Sequence, residues 1–200
     1  MASTATPYGL RAVNRVDGMP YAGATQTFLI NPAGTGTNIF NGSVVLIDAD
    51  GYIALATATG ADITTNNLGG NGVGAIGVFV GCEYVNAQGQ VIESQYYPSG
   101  TTGVVKAKVI TDPSVTFVAQ LDGSGAQTVL GSNTYFAAAQ STSTGSTTTG
   151  NSTSALTATV VQTAAAFRIV GFASGPGDAF TDVLVKFNPS AHSYTNNVGL

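Results

Sequence analysis

The residues of this sequence that could carry out chemistry are few and widely separated. The chain has one histidine, His192, and one cysteine, Cys82. A tetrahedral zinc site needs four ligands of these types, so one of each cannot build it. A Ser–His–Asp triad would need His192 to be held firmly, but this residue lies near the C-terminus and no G-x-S-x-G motif occurs. We therefore interpret His192 as a surface or capping residue, and predict no catalytic and no metal-binding residues.

Two pairs of acidic residues have a spacing that is found in functional sites. Glu83 and Glu93 lie on β-rich runs joined by a turn, where facing carboxylates could resemble those of a glycosidase. The chain has no Trp, which argues against a sugar-binding cleft, and solvated strand faces are the preferred interpretation. Asp48 and Asp50 resemble the start of a calcium loop, but the sequence continues into YIALATA without the remaining ligands. The Asp50–Gly51 pair between β-rich runs predicts a hairpin instead.

Two further features have a structural interpretation. Gly72, Gly74 and Gly77 form a G-x-G-x-x-G, but a dinucleotide site needs a strand before this motif and a helix after it. Neither is predicted here, so we expect no cofactor. Cys82 lies between Val80 and Tyr84 in a β-rich run, with no neighbouring cation to activate a thiolate. It reads as a small buried apolar residue.

The overall composition excludes several classes of function. Only 8% of the 200 residues are charged, and the formal net charge is −4. The six Lys and Arg residues are scattered, whereas phosphate neutralisation needs a cluster, so nucleic acid is not an expected partner. No apolar run has the length of a membrane span, and the start of the chain does not read as a signal peptide. A surface of hydroxyls and amides suits static association more than electrostatic steering.

Most of the chain is predicted to form short β-strands. The stretch 77–120 contains four β-rich runs separated by turn residues, which predicts a meander of four antiparallel strands. In the first run Val78, Val80, Cys82 and Tyr84 would share one face. In the third run Val105, Ala107 and Val109 would be buried, while Lys106 and Lys108 face solvent.

The complete pattern indicates ten to twelve strands and no long amphipathic helix. We predict an all-β fold, an antiparallel β-sandwich or β-barrel of jelly-roll type. Residues 1–20 form an extended N-terminal docking arm, residues 21–188 a β domain or two small β subdomains, and residues 189–200 a C-terminal tail. The low-complexity segment 141–154 is predicted to be a protruding loop. The residues expected at an interface are apolar, aromatic or basic: Tyr8, Leu10, Arg11, Val13, Arg15, Tyr96 and Tyr97.

Several stretches resemble a known family. TPYGLRAVN, GVFVGCEYVNAQGQVIESQYYPSGT, VITDPSVTFVAQLDG, RIVGFA and DAFTDVLVKFN are similar to head decoration, or cement, proteins of tailed bacteriophages. The resemblance extends over nearly the whole chain and rests on the order and spacing of turns and strand patterns. Similar proteins often have Trp before the proline where this sequence has Tyr97, a change that keeps an aromatic ring.

This resemblance implies a structural role on the virion. A cement protein binds the outer surface of the major capsid protein lattice, bridges coat subunits and resists internal DNA pressure, after synthesis in the host cytoplasm. Because capsid lattices are symmetric, we expect a homo-oligomer, with a homotrimer preferred over a homodimer. Two alternatives remain: a fibre or receptor- or glycan-binding adhesin domain that uses loops 57–76 and 141–154, and a glycan-active enzyme.

Overall fold

The computed structural model describes residues 4–64, 68–69 and 73–199, so part of the Gly-rich segment 57–76 lies outside the described residues. The described chain is almost entirely strands and loops, with two single-turn 3₁₀ helices at Gln127–Val129 and Pro189–Ala191. The strands are β1 (Arg11–Arg15), β2 (Gln26–Ile30), β3 (Ile39–Phe40), β4 (Val44–Ile47), β5 (Ile53–Leu55), β6 (Ala75–Val85), β7 (Val91–Ser94), β8 (Tyr96–Tyr97), β9 (Val105–Ile110), β10 (Val115–Gln120), β11 (Asn133–Thr134), β12 (Phe167–Phe172) and β13 (Asp182–Phe187).

The first half of the fold is a small closed barrel. Its strands pair in the order β4-β5-β2-β9-β6, and pairing of β4 with β6 closes the circle. The pairs are antiparallel except for β2 with β5. Alternate residues of each strand point inward, so Phe79, Cys82, Val105, Ala107 and Val109 fill the interior. β7 extends the sheet beyond β6, and the two-stranded β3–β8 sheet adds Ile39 and Tyr97 to the interior cluster.

The second half is a five-stranded antiparallel sheet in the order β1-β10-β13-β12-β11. Its buried face carries Phe117, Phe167 and Phe187, which pack together edge-on or tilted. The same cluster includes Val44 and Val78 from the outer surface of the barrel, so one continuous core joins the barrel to the sheet. The all-β prediction, with a sandwich or barrel, is confirmed.

The central strand β6 depends on a glycine at the point where it passes β9. A Cβ atom at Gly77 would lie 1.9 Å from the carbonyl oxygen of Ile110, a distance that no side chain tolerates. The φ angle of Gly77 is +155°, which L-residues rarely adopt. Only glycine therefore allows β6 to pair with both β4 and β9.

The predicted meander is wrong in its connections. β9 pairs with β6 and β2 rather than with β7, and β10 belongs to the other sheet. The face assignment in β6 also needs correction, because a bulge between Phe79 and Gly81 shifts the alternation. As a result Phe79 and Cys82 both point into the barrel, while Val78 packs against the opposite sheet.

Two segments predicted to project from the domain are packed against it. Within the predicted arm, residues 11–15 are β1, an edge strand paired with β10. In the predicted protruding loop 141–154, Ser152 and Ser154 are buried, and Gly145 lies against the ring of Phe40. The composition of residues 141–154 predicted a protruding loop because Gly and Ser side chains are too small to fill a core. The same small residues allow the backbone to pack closely against a neighbouring aromatic ring. Among the described helices, none has the length and hydrophobicity that crossing a membrane requires.

Candidate functional site

The predicted interface residues of the N-terminal segment are mostly engaged within the chain. Leu10 is buried in the core that joins barrel and sheet, so the prediction that it contacts a partner is wrong. The hydroxyl of Tyr8 donates a hydrogen bond to Oδ1 of Asp182, 3.0 Å away. Burial, together with the Asp182 carboxylate, raises the pKa of Tyr8. The backbone of this segment is fixed as well, because the N–H of Leu10 donates to the carbonyl of Gly42.

The two arginines of the same segment have partners on neighbouring loops. Nη1 of Arg11 donates to Oδ1 of Asn41 at 2.7 Å, and burial lowers the pKa of Arg11. Nε of Arg15 lies 3.6 Å from Oδ2 of Asp112 and 3.8 Å from that of Asp17. Both cations are therefore engaged within the chain where the segment meets the rest of the domain.

Tyr96 and Tyr97 form the short strand β8, which pairs with β3 beside the barrel. Tyr97 is fully buried, and its hydroxyl accepts from the N–H of Thr35 and donates to the carbonyl of Thr101. Its side chain is therefore not available at an interface, contrary to the prediction from the sequence. The ring of Tyr96 stacks on Phe40, with ring centroids 5.6 Å apart. Tyr97 belongs to the barrel interior, and of the two tyrosines only Tyr96 is partly exposed.

His192 is a packing residue. Its ring contacts Phe187 and Tyr194, with centroid distances of 5.4 and 5.6 Å, and its Nδ1 accepts from the N–H of Tyr194. Of the two roles predicted for His192, the capping role is confirmed, because the residue is the C-cap of the 3₁₀ helix Pro189–Ala191. The surface role is wrong, because the residue is buried. Burial lowers the pKa of His192 to about 4, so the ring is neutral at neutral pH.

The other residues considered for chemistry are also held in structural contacts. Cys82 is buried inside the barrel, as predicted, and burial raises the pKa of its thiol to about 12. Oδ1 of Asp48 accepts from the N–H groups of Asp50 and Tyr52, which forms the predicted hairpin turn. Across the residues that the structure describes, no group of three His, Cys, Asp or Glu residues is arranged to hold a metal ion.

Glu83 and Glu93 are direct neighbours on the outer surface of the barrel. They pair in register across β6 and β7, and each carboxylate has a lysine partner from β9. Nζ of Lys108 lies 2.8 Å from Oε1 of Glu93, and Nζ of Lys106 lies 3.4 Å from Oε1 of Glu83. The bond to Lys108 lowers the pKa of Glu93. This arrangement matches the solvated strand face preferred from the sequence.

Exposed apolar side chains remain as the feature available for contacts, and six of them fall into two groups of three. The first, called here the turn patch, consists of Val13 in β1 together with Val16 and Met19 in the turn that follows. That turn is closed by a hydrogen bond from the N–H of Arg15 to the carbonyl of Met19. Val13 is thus the one predicted arm residue that is apolar and exposed.

The second group was missed in the sequence. Val85, Val91 and Val104 project from the outer surface of the barrel near one end of β6, β7 and β9, and each is more than half exposed. Strand alternation could have indicated them, since Val104 has the same parity as Lys106 and Lys108 and therefore the same outward direction. The grooves beside the two groups are open, one lined by Val16, Pro113 and Phe187 and the other by Tyr84, Val85 and Thr101.

What the geometry offers is a rigid β surface with apolar side chains and internally paired charges. The residues best suited to catalysis are buried, as are His192 and Cys82, or held in ion pairs, as are Glu83 and Glu93. Comparison of the chain with protein-family models, with curated proteins and with solved structures found no match.

Proposed function

We propose that this chain is a non-enzymatic structural protein of a tailed-phage virion, a decoration or cement protein that binds the outer surface of the major capsid protein lattice and stabilises the head. The observation that carries the proposal is the contrast between paired charges and unpaired aliphatic side chains. Arg11 and Arg15 are bound within the chain, while Val16 and Met19 of the turn patch project into solvent. A surface of this kind forms contacts by apolar burial and hydrogen bonding.

The construction of the domain supports the same role. A closed barrel and a sheet that share one core give a rigid body, and the N-terminal segment is tied to it by Tyr8 and Leu10. A rigid body loses little conformational entropy when it binds, which favours long-lived attachment to a lattice. In the resemblance noted from the sequence, the opening TPYGLRAVN coincides with this fixed segment.

Co-expression with the major capsid protein from the same genome tests the proposal. Assembled shells are purified by sedimentation, and the chain is quantified in the pellet. We expect it to bind at a fixed ratio to coat subunits and to raise the temperature at which shells open. Retention of the chain in the supernatant would contradict the proposal. Presence in only a few copies per virion, together with binding to host cells, would support the alternative of a fibre or adhesin domain.

A further inference from the structure

The outer surface of β6, β7 and β9 carries a row of exposed valines. Val85 on β6 and Val91 on β7 are paired in register and are 54% and 64% exposed. Val104 directly precedes β9 and is 65% exposed. Because Tyr84 pairs with Val105, continuing the antiparallel register by one residue places Val104 beside Val85. The three side chains therefore cross three neighbouring strands on one face.

Below this row the same face is divided by charge. Glu83 and Glu93 occupy β6 and β7, whereas Lys106 and Lys108 occupy β9. Glu83 and Lys106 are register partners on the two middle strands. The barrel face, defined by these four charged residues and the three valines, thus has an acidic half beside a basic half.

We propose that the barrel face binds the barrel face of a second copy of this chain about a two-fold axis. The axis runs parallel to the strands and lies between β6 and β9. Rotation about it places β6 of one copy over β9 of the other, so that Glu83 faces Lys106 twice and Val85 faces Val104 twice. Two sheets stacked about 10 Å apart bring such side chains into contact.

The distribution of charge selects a second copy as the occupant. A partner of uniform charge, such as nucleic acid, would meet both signs on this face and gain little. A copy rotated by 180° brings Lys106 opposite Glu83 and Val104 opposite Val85, each twice, so that opposite charges and apolar side chains meet on the two middle strands.

This symmetry also bears on the size of the oligomer. A face complementary to itself closes with two copies, whereas a trimer needs two different surfaces on each subunit. The geometry therefore favours the homodimer over the homotrimer that was preferred from the sequence. The inference does not depend on the capsid role, since self-association can be measured without any capsid protein.

The test uses the full chain and two charge-reversal variants, Glu83→Lys and Lys106→Glu. The chain has a mass of 20.0 kDa, and we expect sedimentation equilibrium at about 100 µM to give twice that value for the wild type. Each variant alone places like charges opposite each other, so its dimer should dissociate at least about tenfold more readily. An equimolar mixture pairs a positive face with a negative one and should restore a heterodimer, which native mass spectrometry detects when one of the two variants is labelled with ¹⁵N.

The intrachain pair of Glu83 and Lys106 is solvent-exposed, so its loss should leave the fold intact, and circular dichroism checks this. Val85→Ser with Val104→Ser gives a second route, since it removes the two valines that face each other without changing charge and should also give monomers. Val170→Ser is the matched control, because Val170 is an exposed strand valine of β12 in the other sheet. A monomeric wild type, a mixture that stays monomeric, or a trimer unaffected by these variants would overturn the proposal.

Discussion

The phenolic oxygen of Tyr8 lies 3.0 Å from Oδ1 of Asp182, although the two residues are 174 positions apart in the sequence. This hydrogen bond ties the N-terminal segment to the start of β13, close to where Gln120 of β10 accepts from the N–H of Thr6. The segment from residue 4 onward is therefore part of the fold, and deletion of residues 1–20 would remove β1 and the buried Leu10 together with any docking contact.

Tyr8→Phe removes the hydroxyl and leaves the Asp182 carboxylate without this donor. We expect the free energy of unfolding to fall by about 1–2 kcal/mol, because a hydrogen bond to a charged acceptor is worth more than a neutral one. Urea unfolding measures the change. Tyr21→Phe is the matched control, since the Tyr21 hydroxyl bonds an exposed loop carbonyl of Ala24 and its loss should cost less. Equal effects in the two variants would contradict the assignment.

The burial of His192 predicts a loss of stability in mild acid. The ordinary pKa is 6.5 and the folded value is about 4, so the unfolded chain takes up the proton first as the pH falls. The neutral His192 ring thus contributes roughly 3 kcal/mol to the free energy of unfolding above pH 6.5, and this contribution is lost as the pH falls from 6.5 to 4. Asp112 has a lowered pKa, so its own contribution is lost only below its ordinary value of 3.8.

His192→Asn tests this window, because it removes the only imidazole of the chain and keeps a side-chain acceptor for the N–H of Tyr194. Thermal unfolding is followed at a series of pH values. The variant is expected to be less stable at pH 7 but to show a flatter stability curve between pH 6.5 and 4. A curve with the wild-type slope would show that another group controls the acid transition.

Cys82 should be inert in the native protein. The thiol is buried in the barrel and its pKa is raised to about 12, so almost no thiolate exists at pH 8. We expect a disulfide reagent such as dithionitrobenzoate to label less than about a tenth of the protein within an hour, and all of it in guanidinium chloride. Rapid labelling of the folded chain would place Cys82 in an accessible site instead.

Gly145→Ala tests whether the segment 141–154 is packed against the domain. A Cβ atom at this position would lie 2.2 Å from Cδ2 of Phe40, and Phe40 is itself buried. Overpacking of this kind should lower the unfolding free energy by about 1–3 kcal/mol. Gly36→Ala is the control, since nothing lies within 4 Å of its Cβ position. A neutral Gly145→Ala would indicate that the segment stands away from Phe40.

Val16→Ser combined with Met19→Ser tests the turn patch as a contact with capsid protein. Both side chains are more than half exposed, so unfolding should change by less than about 0.5 kcal/mol. If the patch docks on the coat lattice, binding to assembled shells should weaken by roughly tenfold or more. Shell binding equal to that of the wild type would assign the capsid contact to another surface.

The sequence predicted the local features of the fold well. The Asp48–Gly51 turn, the run at β9 with lysines on one face, and the strands β12 and β13 all lie where alternation and turn residues indicated. Cys82 was also assigned correctly. These features depend on residues that are near one another in the chain, for which the side-chain period of two and the preferences of Gly, Asp and Pro are direct signals.

Partner choice between strands could not be predicted in the same way. Alternation shows that a run is a strand and which residues share a face, but it does not show which other strand will supply the hydrogen bonds. The bulge between Phe79 and Gly81 illustrates the limit, since one extra residue reversed the faces of β6 beyond the bulge. The burial of Leu10 and Tyr97, both expected at an interface, follows from contacts with distant segments.

The amino-acid sequence by itself determined that this chain is built of short strands with few charges, because β-propensity, turn residues and composition are properties of neighbouring residues. Closure of the barrel by β4 and β6, the attachment of residues 4–15 to the second sheet, and the row formed by Val85, Val91 and Val104 were decided by the tertiary structure. The physical reason is that each of these depends on which distant backbone groups pair, and that choice minimises the free energy of the whole core rather than of any one segment.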